Sequence, residues 1–149
     1  MNIFNFFKEK KKKKKELLDV LHYLDTIPNI NCGGCGYSAL TIHKWLEQKG
    51  KKSKIAFVYT NPYEFETNEN NKMNNMTLGV PNHAVVRYKR RFIDSHGKYD
   101  MNIYNRRYII ATEEDLRETL KLIPDWNPKF NRNYVNNIEK KFNISLNYN

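Results

Sequence analysis

The stretch that most constrains this chain is residues 29–46, which read NINCGGCGYSALTIHKWL. Pro28 and the asparagines around it end any helix that precedes the stretch. From Cys35 onward, apolar residues recur at helical spacing, which predicts a largely buried central helix beginning at that cysteine. A thiol at a helix N-terminus is stabilised as the thiolate by the helix dipole and by free backbone N–H groups. The stretch therefore favours nucleophilic chemistry at Cys35.

The remaining elements predict an α+β fold with a small antiparallel sheet. Residues 3–25 favour a helix, whose apolar stripe (Leu17, Leu18, Leu21, Leu24) we expect to pack on the domain. Residues 61–79 are polar and rich in asparagine, and we predict a long loop there with one short edge strand. Four segments have the composition of strands, and two amphipathic helices follow them. The strands are 54–59, 83–88, 91–95 and 107–111, and the helices begin near Thr112 and Tyr134.

Three side chains occur in an order that suits nucleophilic catalysis. A cysteine nucleophile needs a base to take its proton, and the base needs a third group that fixes its tautomer. His83 follows Cys35 by 48 residues, and Asp94 follows His83 by 11. Because a tight turn would join the strands that carry His83 and Asp94, we expect their side chains to lie close together.

Three short motifs resemble those of papain-like cysteine peptidases. CGGCGYSA, which contains Cys35, is similar to the signature CGSCWAFSA of that superfamily. NHAV at 82–85 resembles its histidine motif, and IDSHG at 93–97 resembles its asparagine motif NSWG. The order of the residues and the compact size also resemble the transglutaminase-like and NlpC/P60 branches. The resemblance implies a papain-like fold, in which the helix bearing the cysteine packs on a small antiparallel sheet.

The resemblance also implies roles for individual residues. Cys35 would be the nucleophile, His83 the general base and acid, and Asp94 the orienting residue in place of the family's asparagine. Asn29 stands at the position of the family's oxyanion-hole glutamine, and Gly36 replaces its tryptophan. The implied activity is that of a cysteine peptidase, amidase or acyltransferase. It would cleave or transfer an amide bond of a peptide or protein substrate through a thioester, without a metal or organic cofactor.

Other interpretations of the same residues remain open. Cys32 and Cys35 form a C-x-x-C motif like that of thioredoxin-like redox proteins, but there a buried strand leads into the motif, whereas here a helix breaks at Pro28. A zinc site would need more ligands than this pair supplies. We predict that Cys32 is a small buried side chain. His83 and Asp94 could also form a hydrogen-bonded pair without catalysis.

Half of the formal charge of +10 lies in residues 8–16, which contain seven lysines and two glutamates. We predict a basic N-terminal helical arm at 1–27 and a papain-like domain at 28–149. Such an arm is either solvated or binds nucleic acid or another anionic surface. The alternative function is a catalytically idle fold that serves as a structural or binding module, such as a virion or nucleoprotein component. The lysines concerned are Lys8, Lys10, Lys11, Lys12, Lys13, Lys14 and Lys15.

Composition also bears on the compartment. The chain has two cysteines, three positions apart, and therefore no disulfide framework, which favours a reducing compartment. The N-terminus lacks the order of a signal peptide, and no apolar run is long enough to cross a bilayer. We expect a soluble cytoplasmic or virion-associated protein.

Overall fold

The computed structural model describes the backbone of residues 3–122 and 128–146, and the side chains of residues 8–12, 14–122 and 132–146. Lys13 is thus outside the described side chains. The fold is α+β, as the sequence predicts. In chain order the elements are α1 (Ile3–Asp25), α2 (Cys35–Gln48), β1 (Lys54–Tyr59), α3 (Pro62–Met73), β2 (His83–Tyr88), β3 (Arg91–Asp94), β4 (Gly97–Tyr99), β5 (Arg107–Ala111), α4 (Glu113–Lys121) and α5 (Pro128–Phe142).

The five strands form one antiparallel sheet in the order β4-β3-β2-β1-β5. Alternate residues of each strand face opposite sides, so one face carries Phe57 and Val86 into the main core, together with residues of the helices. The other face holds a smaller cluster around Val58 and Val85, and no residue of a described helix belongs to it. The helices therefore cover one side of the sheet.

Helix α1 has two halves with different surroundings. In its second half Val20, Leu21 and Leu24 are buried in the main core. Leu18, which the sequence assigned to the apolar stripe, is 54% exposed, because Val20 occupies the buried position instead. In the first half the described lysines are exposed. Among the described residues, no helix is long and apolar enough to cross a membrane.

The prediction of a loop at residues 61–79 is wrong, because α3 occupies most of that segment. The Asn61 side chain accepts hydrogen bonds from the backbone N–H groups of Tyr63 and Glu64, and Pro62 begins the helix. Asparagine at the N-cap followed by proline is a strong helix start. The buried residue of this helix is polar, Asn68, so the sequence lacks the periodic apolar residues from which a helix is predicted.

Candidate active site

Cys35 is the first residue of α2, and its side chain is 8% exposed. The approach to it is a turn in which Asn29 has φ 59° and Gly33 has φ 94°. The Asn29 carbonyl accepts hydrogen bonds from the N–H groups of Cys32 (2.9 Å) and Gly34 (3.3 Å). The first turn of a helix leaves backbone N–H groups without intrahelical acceptors, and those of Cys35 and Gly36 have no acceptor among the described residues, so they are available to a ligand.

Cys32 and Asn29 also lie in this turn, and their surroundings differ from those of Cys35. Cys32 is exposed, and the prediction that it is buried is wrong, because the turn directs residue 32 to the surface. The exposed Asn29 side chain makes no hydrogen bond to any described residue. A contribution of Asn29 to an oxyanion hole therefore stays a prediction from sequence position.

His83 and Asp94 lie on the same face of neighbouring strands. Asn82 ties the start of β2 to β1, because its N–H donates to the Val58 carbonyl and its side chain accepts from the Thr60 N–H. His83 Nε2 then lies 2.9 Å from Asp94 Oδ2. The other carboxylate oxygen, Oδ1, accepts a hydrogen bond from the His96 N–H at 2.9 Å. Both oxygens of Asp94 are engaged, so the carboxylate holds the ring in one orientation.

The Cys35 thiol is the second group whose interaction raises the pKa of the His83 ring. Because Nε2 is bound to Asp94, the nitrogen left for the thiol is Nδ1. Burial lowers the His83 pKa, but the hydrogen bonds to Asp94 and Cys35 and the charges of both groups raise it more, to about 9. The structure therefore brings Asp94 and His83 into direct contact and places Cys35 near enough to act on the same ring.

Gly36, the residue after Cys35, packs directly against α4. A Cβ atom at this position would lie 2.8 Å from Leu120 Cδ2 and 3.2 Å from Leu116 Cδ1. Both leucines are buried, so a larger residue would displace α4 from α2. The packing of α4 therefore leaves no room at this position for the tryptophan of papain-like peptidases.

Two side chains at the site were not predicted from the sequence. The Tyr99 ring lies 5.0 Å from the His83 ring, between centroids, and the Arg106 guanidinium lies 4.5 Å above the Tyr99 ring. The pKa of Tyr99 is raised, mainly by burial and also by the charges of Asp94 and Cys35, whereas the charge of Arg106 opposes this shift. Tyr99 therefore belongs to the electrostatic environment of the site. A short strand and an irregular loop carry these residues, and neither gave a periodic signal.

A polar network joins the cysteine turn to the β3–β4 turn. Asn31 Nδ2 lies 2.7 Å from Ser95 Oγ and 2.9 Å from His96 Nδ1. Asp25 Oδ1, at the end of α1, lies 3.2 Å from His96 Nε2 and accepts a hydrogen bond from Ser95 at 3.5 Å. These contacts fix the segment before Cys35 against the residues that follow Asp94. His96, which lies in the turn between β3 and β4, is part of that support.

Comparison with protein-family models, with curated proteins and with solved structures finds no match to this chain. Among the described residues, no three His, Cys, Asp or Glu side chains converge to hold a metal ion. Functional inference therefore depends on the geometry of the site itself.

Proposed function

We propose that this chain is a papain-like cysteine hydrolase or acyltransferase that acts on an amide bond of a peptide or protein. One observation carries the proposal: His83 Nε2 lies 2.9 Å from Asp94 Oδ2, and Cys35, the first residue of α2, is near enough to raise the pKa of the same ring. A histidine held between a thiol and a carboxylate is the arrangement that activates a cysteine nucleophile.

The first half of the reaction would form a thioester. Before substrate binds, the proton of Cys35 already resides on His83 Nδ1, so a thiolate lies beside an imidazolium. The Cys35 sulfur attacks the amide carbonyl carbon, and N–H groups of the first turn of α2 stabilise the resulting oxyanion. The imidazolium then donates its proton to the amide nitrogen as the C–N bond breaks. An imidazolium pKa of about 9 keeps His83 protonated at neutral pH for that step.

The second half would release the acyl group. Water or an amine gives a proton to His83 and attacks the thioester carbonyl, and the C–S bond breaks to restore the thiolate. Asp94 stabilises each imidazolium form through its hydrogen bond to Nε2. Hydrolysis and acyl transfer differ only in the acceptor, and the residues described here serve both.

Competition between the two cysteines provides a sharp test. Cys32 is exposed, whereas the Cys35 side chain is 8% exposed, so access alone favours labelling of Cys32. Activation by His83 predicts the opposite order, because the thiolate is the reactive form. We expect limiting iodoacetamide at neutral pH to modify Cys35 first, as measured by mass spectrometry of peptides. His83→Ala should slow labelling of Cys35 and leave labelling of Cys32 unchanged.

The matched control is His43→Ala, since His43 bonds Ser53 on the flank of α2 and does not contact the thiol. It should change neither rate. Faster labelling of Cys32 than of Cys35 in the native protein would contradict the proposal. That outcome would favour the alternative, a papain-like fold retained as a structural or binding module.

A further inference from the structure

The end of the molecule farthest from Cys35 carries a basic groove. Helix α2 runs away from Cys35 for 14 residues, about 20 Å, and β2 runs away from His83 toward the β2–β3 turn. The segment between α2 and β1 meets that turn, since Lys54 pairs with Arg87. The groove between them has a volume of about 210 Å³. Five cations and one serine line it: Lys52, Ser53, Lys54, Arg87, Lys89 and Arg90.

The five cations of the basic groove have no carboxylate partners. None of them forms an ion pair with any carboxylate of the described residues. Some lysines elsewhere are neutralised: Lys44 lies 2.7 Å from Glu113, and Lys72 lies 2.6 Å from Asp115. Uncompensated like charges around one concave surface create a strong local potential for an anion.

The turn that contributes two of these cations is conformationally unfavourable for them. Lys89 has φ 48° and Arg90 has φ 63°, and they alone connect the paired residues Tyr88 and Arg91. A two-residue hairpin turn in which both φ values are positive favours the sequence Asn-Gly. Lysine and arginine are strained at positive φ, because their Cβ atoms crowd the backbone. Residues that break a local rule of this kind are expected where a function requires them.

Aromatic rings support the cations from below. The Arg87 guanidinium lies 5.8 Å from the centroid of the Tyr108 ring, and Lys89 Nζ lies 5.2 Å from that of Tyr88. Such contacts hold a cation without neutralising it. The charged ends stay available to an anion that enters the groove.

The lysine-rich half of α1 extends from the same end of the molecule. Glu16 forms an ion pair with Lys49, the residue that ends α2, at 3.9 Å, whereas Asp25 contacts His96 near the candidate site. Helix α1 therefore runs along the domain, and residues 8–15 project about 12 Å beyond Glu16, away from Cys35. Their described lysine side chains are exposed.

We propose that the basic groove and the lysine-rich half of α1, both at this end of the molecule, bind the phosphate backbone of nucleic acid. Spaced, uncompensated lysines and arginines supply the sequence-independent part of such binding. An anionic membrane would also attract the charges, and Ile3, Phe4, Phe6 and Phe7 precede the lysines of α1 in the sequence. Stable attachment to a bilayer uses apolar side chains beside the cations, however, and the lining of the groove has none, which favours nucleic acid there. The proposal is independent of catalysis at Cys35.

The turn allows a test in which loss of folding is not a concern. Lys89→Asn with Arg90→Gly removes two cations and installs the residues that the turn prefers, so the melting temperature should rise. Binding of a fluorescein-labelled oligothymidylate, followed by anisotropy, should weaken by roughly tenfold or more at low salt. The slope of log affinity against log salt should decrease by about 1.5, the value for two lost phosphate contacts. Replacing Lys11, Lys12, Lys14 and Lys15 with glutamine should weaken binding further.

The matched control removes two cations from the other end of the molecule, Lys98→Gln with Lys121→Gln, and should leave affinity nearly unchanged. The proposal is overturned by absence of oligonucleotide binding in the native chain, or by unchanged affinity in the turn variant. It is equally overturned if the control loses as much affinity as the turn variant. Binding to phosphatidylserine vesicles without binding to the oligonucleotide would assign the surface to membranes instead.

Discussion

Replacing Asp94 with asparagine isolates the charge that holds His83 protonated. Asparagine keeps an oxygen that can accept the hydrogen bond from Nε2 but carries no charge. The His83 pKa is about 9, compared with an ordinary value of 6.5. At 1.36 kcal/mol per pKa unit, the surroundings favour the imidazolium by about 3 kcal/mol. The side chains of His83 and Asp94 are 12% and 9% exposed, so solvent screens their interaction weakly.

We expect the Asp94→Asn substitution to lower the His83 pKa by at least about one unit, because a carboxylate at hydrogen-bonding distance raises an imidazole pKa by that amount or more. Titration of ¹³C-labelled histidine by NMR gives the pKa directly and needs no substrate. Asp25→Asn is the matched control: it removes a carboxylate that contacts His96 and Ser95, and the His83 titration should stay in place. An unchanged His83 titration in Asp94→Asn would refute the assignment of the raised pKa to this pair.

The same shift predicts how stability depends on pH. A histidine whose pKa is higher in the folded than in the unfolded chain stabilises the fold fully below pH 6.5, and this contribution is lost as the pH rises through about 9. The difference in unfolding free energy between the native chain and Asp94→Asn should therefore be largest near pH 6 and should shrink toward pH 10. Urea denaturation at both pH values measures it, and a difference that grows with pH would have the wrong sign.

Two further substitutions test the packing around the nucleophile, both by urea denaturation. Gly36→Val should destabilise the fold by about 1–3 kcal/mol, because its side chain would overlap Leu120 and Leu116; a variant as stable as the native chain would show that α4 does not press on α2. Ser38→Ala should leave stability unchanged or raise it by about 1 kcal/mol, because the buried Ser38 hydroxyl bonds no described group; a loss of more than that would reveal a partner for it.

The sequence predicted the elements whose signals are local. The bounds of β1 and β5 agree with expectation because each is a continuous run of β-forming residues. The start of α2 agrees because the break at Pro28 separates it from α1. The hairpin of β2 and β3 was also predicted, and with it the closeness of His83 and Asp94. The site was proposed from the order of three residue types along the chain together with the resemblance of their motifs to those of papain-like peptidases.

Other features depend on contacts that no local pattern contains. Helix α3 is held by polar bonds, such as that of the Asn68 side chain to the Gly79 N–H at 2.6 Å, which leave no apolar period in the sequence. Tyr99 and Arg106 reach His83 only because β4 turns back beside β3. The exposure of Cys32 follows from the positive φ of Asn29, which a sequence pattern of C-x-x-C does not reveal.

The register of the sheet implies an order of assembly for the site. His83 and Asp94 belong to adjacent strands joined by a two-residue turn, so their pairing closes a short loop and can form early. Cys35 reaches them only when α2 docks on the sheet, and β5 must cross from far along the chain to complete the edge beside β1. We therefore expect the base and its carboxylate to meet before the thiol arrives. A nascent or partly unfolded chain would then hold an unactivated cysteine, so that the reactivity of Cys35 reports on completed folding.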